Sequence, residues 1–180
     1  MKKSLLSLLF AGLAIFAFSC QPRSSALTDS QKAAIADSTK SLLRAVLTNS
    51  DKLDFAAALQ FYSGDADARF IENGALFPSL DAMKKAYADF APILESLKNN
   101  VDSWDIMVLG ADAVSFTAPI HFSFKAKGRP QYNGQYVWSG IVQRRGGTWK
   151  LVQTHESWLN FEQAMAAIMP LPTKQERSKK

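Results

Sequence analysis

The sequence predicts an α+β domain in which helices lie on one face of a curved antiparallel sheet. Two observations carry this. Apolar residues recur at helical spacing between Ile35 and Leu47 and again from Met83 to Leu97, whereas from Val114 onward they alternate one by one with polar residues. The helical patterns precede the strand patterns instead of alternating with them, which argues against a parallel sheet with crossover helices.

Each element has its own local signal. Thr28 with Gln31 three residues later has the form of a capping box, and Ile35, Leu42, Leu43, Val46 and Leu47 give the helix over 29–48 one apolar face. A second, shorter helix starts at Ser50 and carries Leu53 to Leu59. In ARFIENGALF, Asn73-Gly74 sits between two short apolar runs, the strongest two-residue hairpin signal. Ser79 caps a third helix whose face runs from Met83 through Tyr87 and Phe90 to Leu97, with a kink expected at Pro92. Val114, Phe116, Ala118, Ile120, Phe122 and Phe124 then form the greasy side of a long strand, with His121 and Ser123 on its polar side. QYNGQYVWSGIVQRR and TWKLVQTHESWL make a second hairpin around Gly146-Gly147, and LNFEQAMAAIM a closing helix before Pro170.

The N-terminus is of another kind. Lys2 and Lys3 precede an uncharged apolar run from Leu5 to Phe18, followed by Ser19 and Cys20. This is the layout of a secretory signal, and the run is shorter than the ~20 residues a membrane span needs. Cys20 is the single cysteine, so no intramolecular disulfide forms, and its position resembles a bacterial lipoprotein signal in which the thiol is lipidated. The expected organisation is a signal peptide over 1–19, a lipidated tether over 20–28, a globular domain over 29–170 and a basic disordered tail over 171–180. The resemblance implies a place in the bacterial cell envelope, periplasmic or at the outer membrane, held to the membrane through lipid on Cys20. A plain secretory signal with an incidental cysteine is the alternative.

The formal charge of +5 resides in the two ends. Without Lys2, Lys3 and the tail TKQERSKK, basic and acidic residues balance, so no basic face for nucleic acid is expected. The chain has no P-loop, no GxGxxG and no G-x-S-x-G elbow, and its two histidines stand far apart with no His-x-His pair. Neither a metal site nor a cofactor is expected.

The order of helix, helix, short NG hairpin, helix and long antiparallel strands resembles the nuclear transport factor 2-like superfamily, and within it the SnoaL-like group. FYSGDADARFIENG, SLDAMKKAY and RRGGTWKLVQTHES carry the resemblance, the last most specifically. It implies a cone-shaped domain with an apolar cavity open at one end, and a homodimer formed through the outer sheet face. Cones of this kind isomerise, cyclise, dehydrate or simply bind, so the residues must decide the function.

The resemblance places the aromatics Tyr62, Phe70, Tyr87, Trp104, Tyr136, Trp138 and Trp149 on elements around the cavity, where Tyr and Trp combine apolar surface with polar tips; the carboxylates Glu72 and Asp105, which interrupt apolar runs, are further candidates. Asp65 and Asp67 are read as solvated turn residues. On the last strand, alternation groups His155 with Trp149, Leu151, Gln153 and Ser157, and sends Glu156 the other way with Thr154 and Trp158. A His155/Glu156 dyad is therefore excluded while the strand is regular. His155 and Ser157 remain candidates for the cavity, His155 either as a ligand contact, as the best candidate for a general base, or as a strand residue without a site. Three functions stay open: a binder of a small apolar or amphipathic molecule; an isomerase, cyclase or dehydratase with His155 as base and Glu72 or Asp105 as partner; and a protein-interaction module using the polar strand face around His121.

Overall fold

The computed structural model describes residues 26–168. The signal, Cys20, most of the tether and the basic tail lie outside the described residues. Seven strands form one sheet in the order β2-β1-β7-β6-β5-β3, with β4 paired to the same edge of β5 as β3. The strands are β1 (Arg69–Glu72), β2 (Ala75–Phe77), β3 (Leu94–Val101), β4 (Asp105–Gly110), β5 (Ala113–Ala126), β6 (Gln131–Arg145) and β7 (Thr148–Leu159). The helices α1 (Asp29–Asp51), α2 (Phe55–Leu59), α3 (Leu80–Phe90) and α4 (Phe161–Ile168) complete the fold.

Helix α1 begins where the capping box stands: Gln31 N donates to Thr28 Oγ1 at 3.2 Å, and Thr28 N donates to Gln31 Oε1 at 2.9 Å. Its apolar face buries Leu42, Leu43 and Val46. Helix α2 starts later than Ser50, because α1 runs on to Asp51, Leu53 takes a positive φ of 60°, and Asp54 accepts from Ala57 N at 2.9 Å. Asn73 and Gly74 at φ 49° and 85° form the tight hairpin between β1 and β2.

Pro92 does more than kink α3. The helix stops at Phe90, a 3₁₀ turn over Ala91–Ile93 holds the proline near its start, and Leu94 to Val101 is a strand. The apolar spacing of Phe90, Leu94 and Leu97 suits a helix, but Pro92 has no N–H to continue one, and pairing with β5 captures the segment instead.

Strands β5 and β6 pair over thirteen residues from Ala113↔Gln143 to Lys125↔Gln131, and β6 pairs with β7 through the turn at Gly146 (φ 55°) and Gly147 (φ 83°). The alternation on β5 holds throughout: Val114, Phe116, Ala118, Ile120, Phe122 and Phe124 are all buried. The parallel pairing of β1 with β7, Glu72 opposite Glu156, has no local sequence signal and follows from the chain path.

Strand β7 is not regular. Ile141 pairs with Gln153 while its neighbour Val142 pairs with Leu151, which leaves Val152 as an extra residue, a β-bulge. Leu151 and Val152 are both buried as a result. The bulge resets the alternation, so Trp149 and Leu151 share the inner face with Thr154, Glu156 and Trp158. His155 is thereby separated from Trp149 and Leu151, while Gln153 and Ser157 stay on its face.

Candidate functional site

Between the helices and the inner sheet face lies a cavity of about 460 Å³, within the range of small-molecule sites. Its walls are aromatic and aliphatic. Phe55, Tyr87 and Phe90 come from the helices, Phe122 and Phe124 from β5, Tyr136 and Trp138 from β6, and Trp158 from β7. Phe161, Met165 and Ile168 of α4 close one side. Phe122 organises this wall, with the rings of Tyr136 and Trp158 centred 5.4 and 4.8 Å away.

Among the described residues two side chains of formal charge line the cavity, and both are carboxylates: Glu72 and Glu156. They sit in register on neighbouring strands, and Trp138 stands opposite Glu156 on the next strand, so Glu72, Glu156 and Trp138 form one row across β1, β7 and β6. Tyr87 Oη donates to Glu72 Oε1 at 2.5 Å, and Trp158 Nε1 donates to Glu156 Oε2 at 3.3 Å. The hairpin is clamped to β7 by Asn73, whose N donates to Glu156 O at 2.9 Å and whose Oδ1 accepts from Trp158 N at 2.9 Å. Asn73 thus serves the turn and the site together.

Burial in this apolar space pushes the Glu156 carboxyl up to about 8, with the neighbouring Glu72 charge adding to the shift and the Trp158 hydrogen bond opposing it. Burial also raises Glu72, and the Tyr87 hydrogen bond opposes that rise. Tyr62, Tyr87 and Tyr136 are raised as well, each first by burial and then by the carboxylates nearby. The two carboxyls compete for ionisation, and Tyr87 favours the anion on Glu72. Glu156, pushed to about 8, is therefore the carboxyl that keeps its proton to higher pH, while the Tyr87 hydrogen bond favours the anion on Glu72.

Of the residues singled out in the sequence, Tyr62, Glu72, Tyr87, Tyr136 and Trp138 line the cavity. The others lie elsewhere. Phe70 is buried beneath it, packed edge-on to Tyr62 at 5.2 Å. Trp104 is half-buried against the core, and Asp105 is exposed on β4. Trp149 packs against the core under the Arg144 guanidinium, 4.8 Å from the ring centre. His155 and Ser157 are exposed on the outer face of β7, opposite Ser139 and Val137. Of the readings open for His155, the general base and the cavity contact are corrected on this ground, because an exposed residue on the outer face lies across the sheet from the cavity. His121 is on the polar face of β5, where its Nδ1 lies 2.8 Å from Asp102 Oδ1. Asp65 and Asp67 are not simply solvated, since Arg145 Nη2 bridges to Asp67 Oδ2 at 2.9 Å and Nε lies 3.7 Å from Asp65 Oδ2.

The residue that sequence reasoning missed is Glu156. Its signal was present: a carboxylate sharing a strand face with Thr154 and Trp158. No group of His, Cys, Asp and Glu suited to a metal ion occurs among the described residues, and none of their helices is long and apolar enough to cross a membrane.

Residues 39–160 match the profile of the SnoaL-like domain. No curated protein matches the chain by sequence. Among solved structures, a hexachlorocyclohexane dehydrochlorinase (LinA) of type 2 aligns with a TM-score of 0.64 at 15% identity, covering 73% of this chain and 89% of its own. A putative scytalone dehydratase from Novosphingobium aromaticivorans aligns at 0.67 and 10% identity, over 73% of this chain and 89% of its own. A ketosteroid isomerase-like protein from Erwinia carotovora atroseptica aligns at 0.60 and 13%, over 69% and 96%. At these identities the likeness establishes the nuclear transport factor 2-like fold.

Proposed function

The chain belongs to the SnoaL-like domain family, and from that premise we propose that it binds a small apolar molecule in its cone and meets the molecule's polar end with the Glu72/Glu156 pair. One observation carries this reading: two carboxyls in register at the wall of an apolar cavity, each with an aromatic donor. Burying two acids side by side is costly unless a ligand or a shared proton uses them. A neutral fluorescent probe, N-phenyl-1-naphthylamine, tests the binding. Its fluorescence should rise with the protein and fall back in Ala75→Trp, which fills the cavity wall; an unchanged signal in both would refute the reading.

The same pair favours a second reading, proton transfer of the isomerase or dehydratase kind. Here Glu72 is the base and Glu156 the acid, because their surroundings separate their affinities for a proton. The dehydratase and isomerase names among the structural relatives accord with it. Deuterium exchange at the α-carbons of a small ketone such as 2-tetralone, faster with the protein than with buffer and lost in Glu72→Gln, is the expected result.

Export and lipidation rest on the N-terminal pattern ending in Cys20, and a homodimer on the outer sheet face, where Val137 and Leu159 are exposed. Labelled palmitate should enter the wild type and not Cys20→Ser.

A further inference from the structure

We infer that the polar end of the ligand is a basic nitrogen, held as an ammonium ion between Glu72 and Glu156. The inference rests on the cavity being a ligand site and goes on to name the ligand's chemistry.

Charge is the first argument. Among the described residues no Lys, Arg or His lines the cavity, so an entering carboxylate or phosphate would meet like charge with no counterion from them. With both acids ionised in the complex, an ammonium on the ligand offsets one of their two negative charges, and donors of the protein must meet the rest. The walls offer the second argument. Tyr87, Tyr136 and Trp158 surround the same space, and the faces of such rings attract ammonium ions. An amine with an aromatic or alicyclic body thus finds its head and its body matched.

The third argument is an unspent donor. Trp138 is 1% exposed and lines the cavity, yet its indole N–H has no hydrogen-bond partner. It stands opposite Glu156 in the β6–β7 register, and paired side chains of adjacent strands begin ~4.5–5.5 Å apart. A buried N–H without a partner is costly, so it marks a role in another state. That state is the complex, in which Glu156 becomes a carboxylate and needs a second donor. The protons balance: a ligand arriving as free base takes the proton of the pair, and one arriving as ammonium sends it to solvent. Either route leaves one ammonium facing two carboxylates.

The test compares 4-phenylbutylamine, 4-phenylbutan-1-ol and 4-phenylbutyrate by calorimetry on the purified chain at pH 7. The amine should bind at least tenfold tighter than the alcohol, and the carboxylate weakest of the three. In Glu72→Gln/Glu156→Gln the ratio of amine to alcohol affinity should fall to near one, with the melting temperature confirming that the variant is folded. An alcohol that binds as well as the amine, or an amine preference that survives in the double variant, overturns the inference while leaving the cavity reading intact. If none of the three binds and N-phenyl-1-naphthylamine does not bind either, the cavity reading fails and the amine with it.

Discussion

The two ends of the interior are built from the same strands and treat side chains in opposite ways. At one end Leu43, Phe70, Phe116, Val142 and Leu151, none more than 1% exposed, fill the space, and Phe116 meets Trp138 edge-on at 4.9 Å. At the other end Phe122, Tyr136 and Trp158 pack together as one wall of a cavity, and two carboxyls intrude. The row of Glu72, Glu156 and Trp138 is the border. Packing secures the first end and leaves it nothing to bind, while the second gives up packing to keep a polar pair in apolar surroundings.

The largest test of that contrast removes a ring from each end. Phe116→Ala should cost about 3–5 kcal/mol, because a packed site cannot collapse around the void. Phe161→Ala, on the half-exposed α4 side of the cavity, should cost about 1 kcal/mol or less and weaken probe binding instead. Urea unfolding of both variants measures the difference, and equal losses would erase the distinction.

Next in size is the pH dependence of the hollow end. The folded state keeps the Glu156 proton up to about pH 8, whereas the unfolded chain releases it near 4.5. The native state therefore binds the extra proton between those values, and this group's contribution to stability is full below 4.5 and declines as pH rises to 8. The loss should be roughly 2–4 kcal/mol between pH 5 and pH 9, with Glu72 contributing in the same direction. Glu156→Gln should flatten the slope.

A smaller effect concerns the bulge that aims Glu156. A Cβ at Gly140 would collide with the Gln153 carbonyl oxygen beside the extra residue Val152. Gly140→Ala should cost about 1–3 kcal/mol by forcing the β6–β7 pairing apart. Smallest is His155→Ala, which should stay within about 0.5 kcal/mol and leave probe affinity unchanged, as fits an exposed position across the sheet.

Much of the fold was legible because its signals are local. The Thr28 capping box, the Asn73-Gly74 turn and the alternation on β5 each act within a few residues. The segment after Pro92 was misread because helical spacing is also compatible with a strand once a long partner captures it. The site was half legible for a similar reason. Glu72 stood out as a carboxylate in an apolar run and Tyr87 as an aromatic with a polar tip, but the parallel pairing that sets Glu72 beside Glu156 is a long-range contact with no mark in either strand. Histidine drew attention to position 155, where chemistry is common, and away from its neighbour, which faces the cavity.

The claim beneath all of this is that a protonated carboxyl survives at neutral pH inside the cone. Titrating the glutamate side-chain carboxyl carbons by carbon-13 NMR, with Glu72→Gln and Glu156→Gln used for assignment, tests it directly. The account predicts a Glu156 midpoint near 8 that falls when Glu72 is replaced by Gln. Glu156 and Glu72 both titrating at the ordinary value of 4.5 would contradict it.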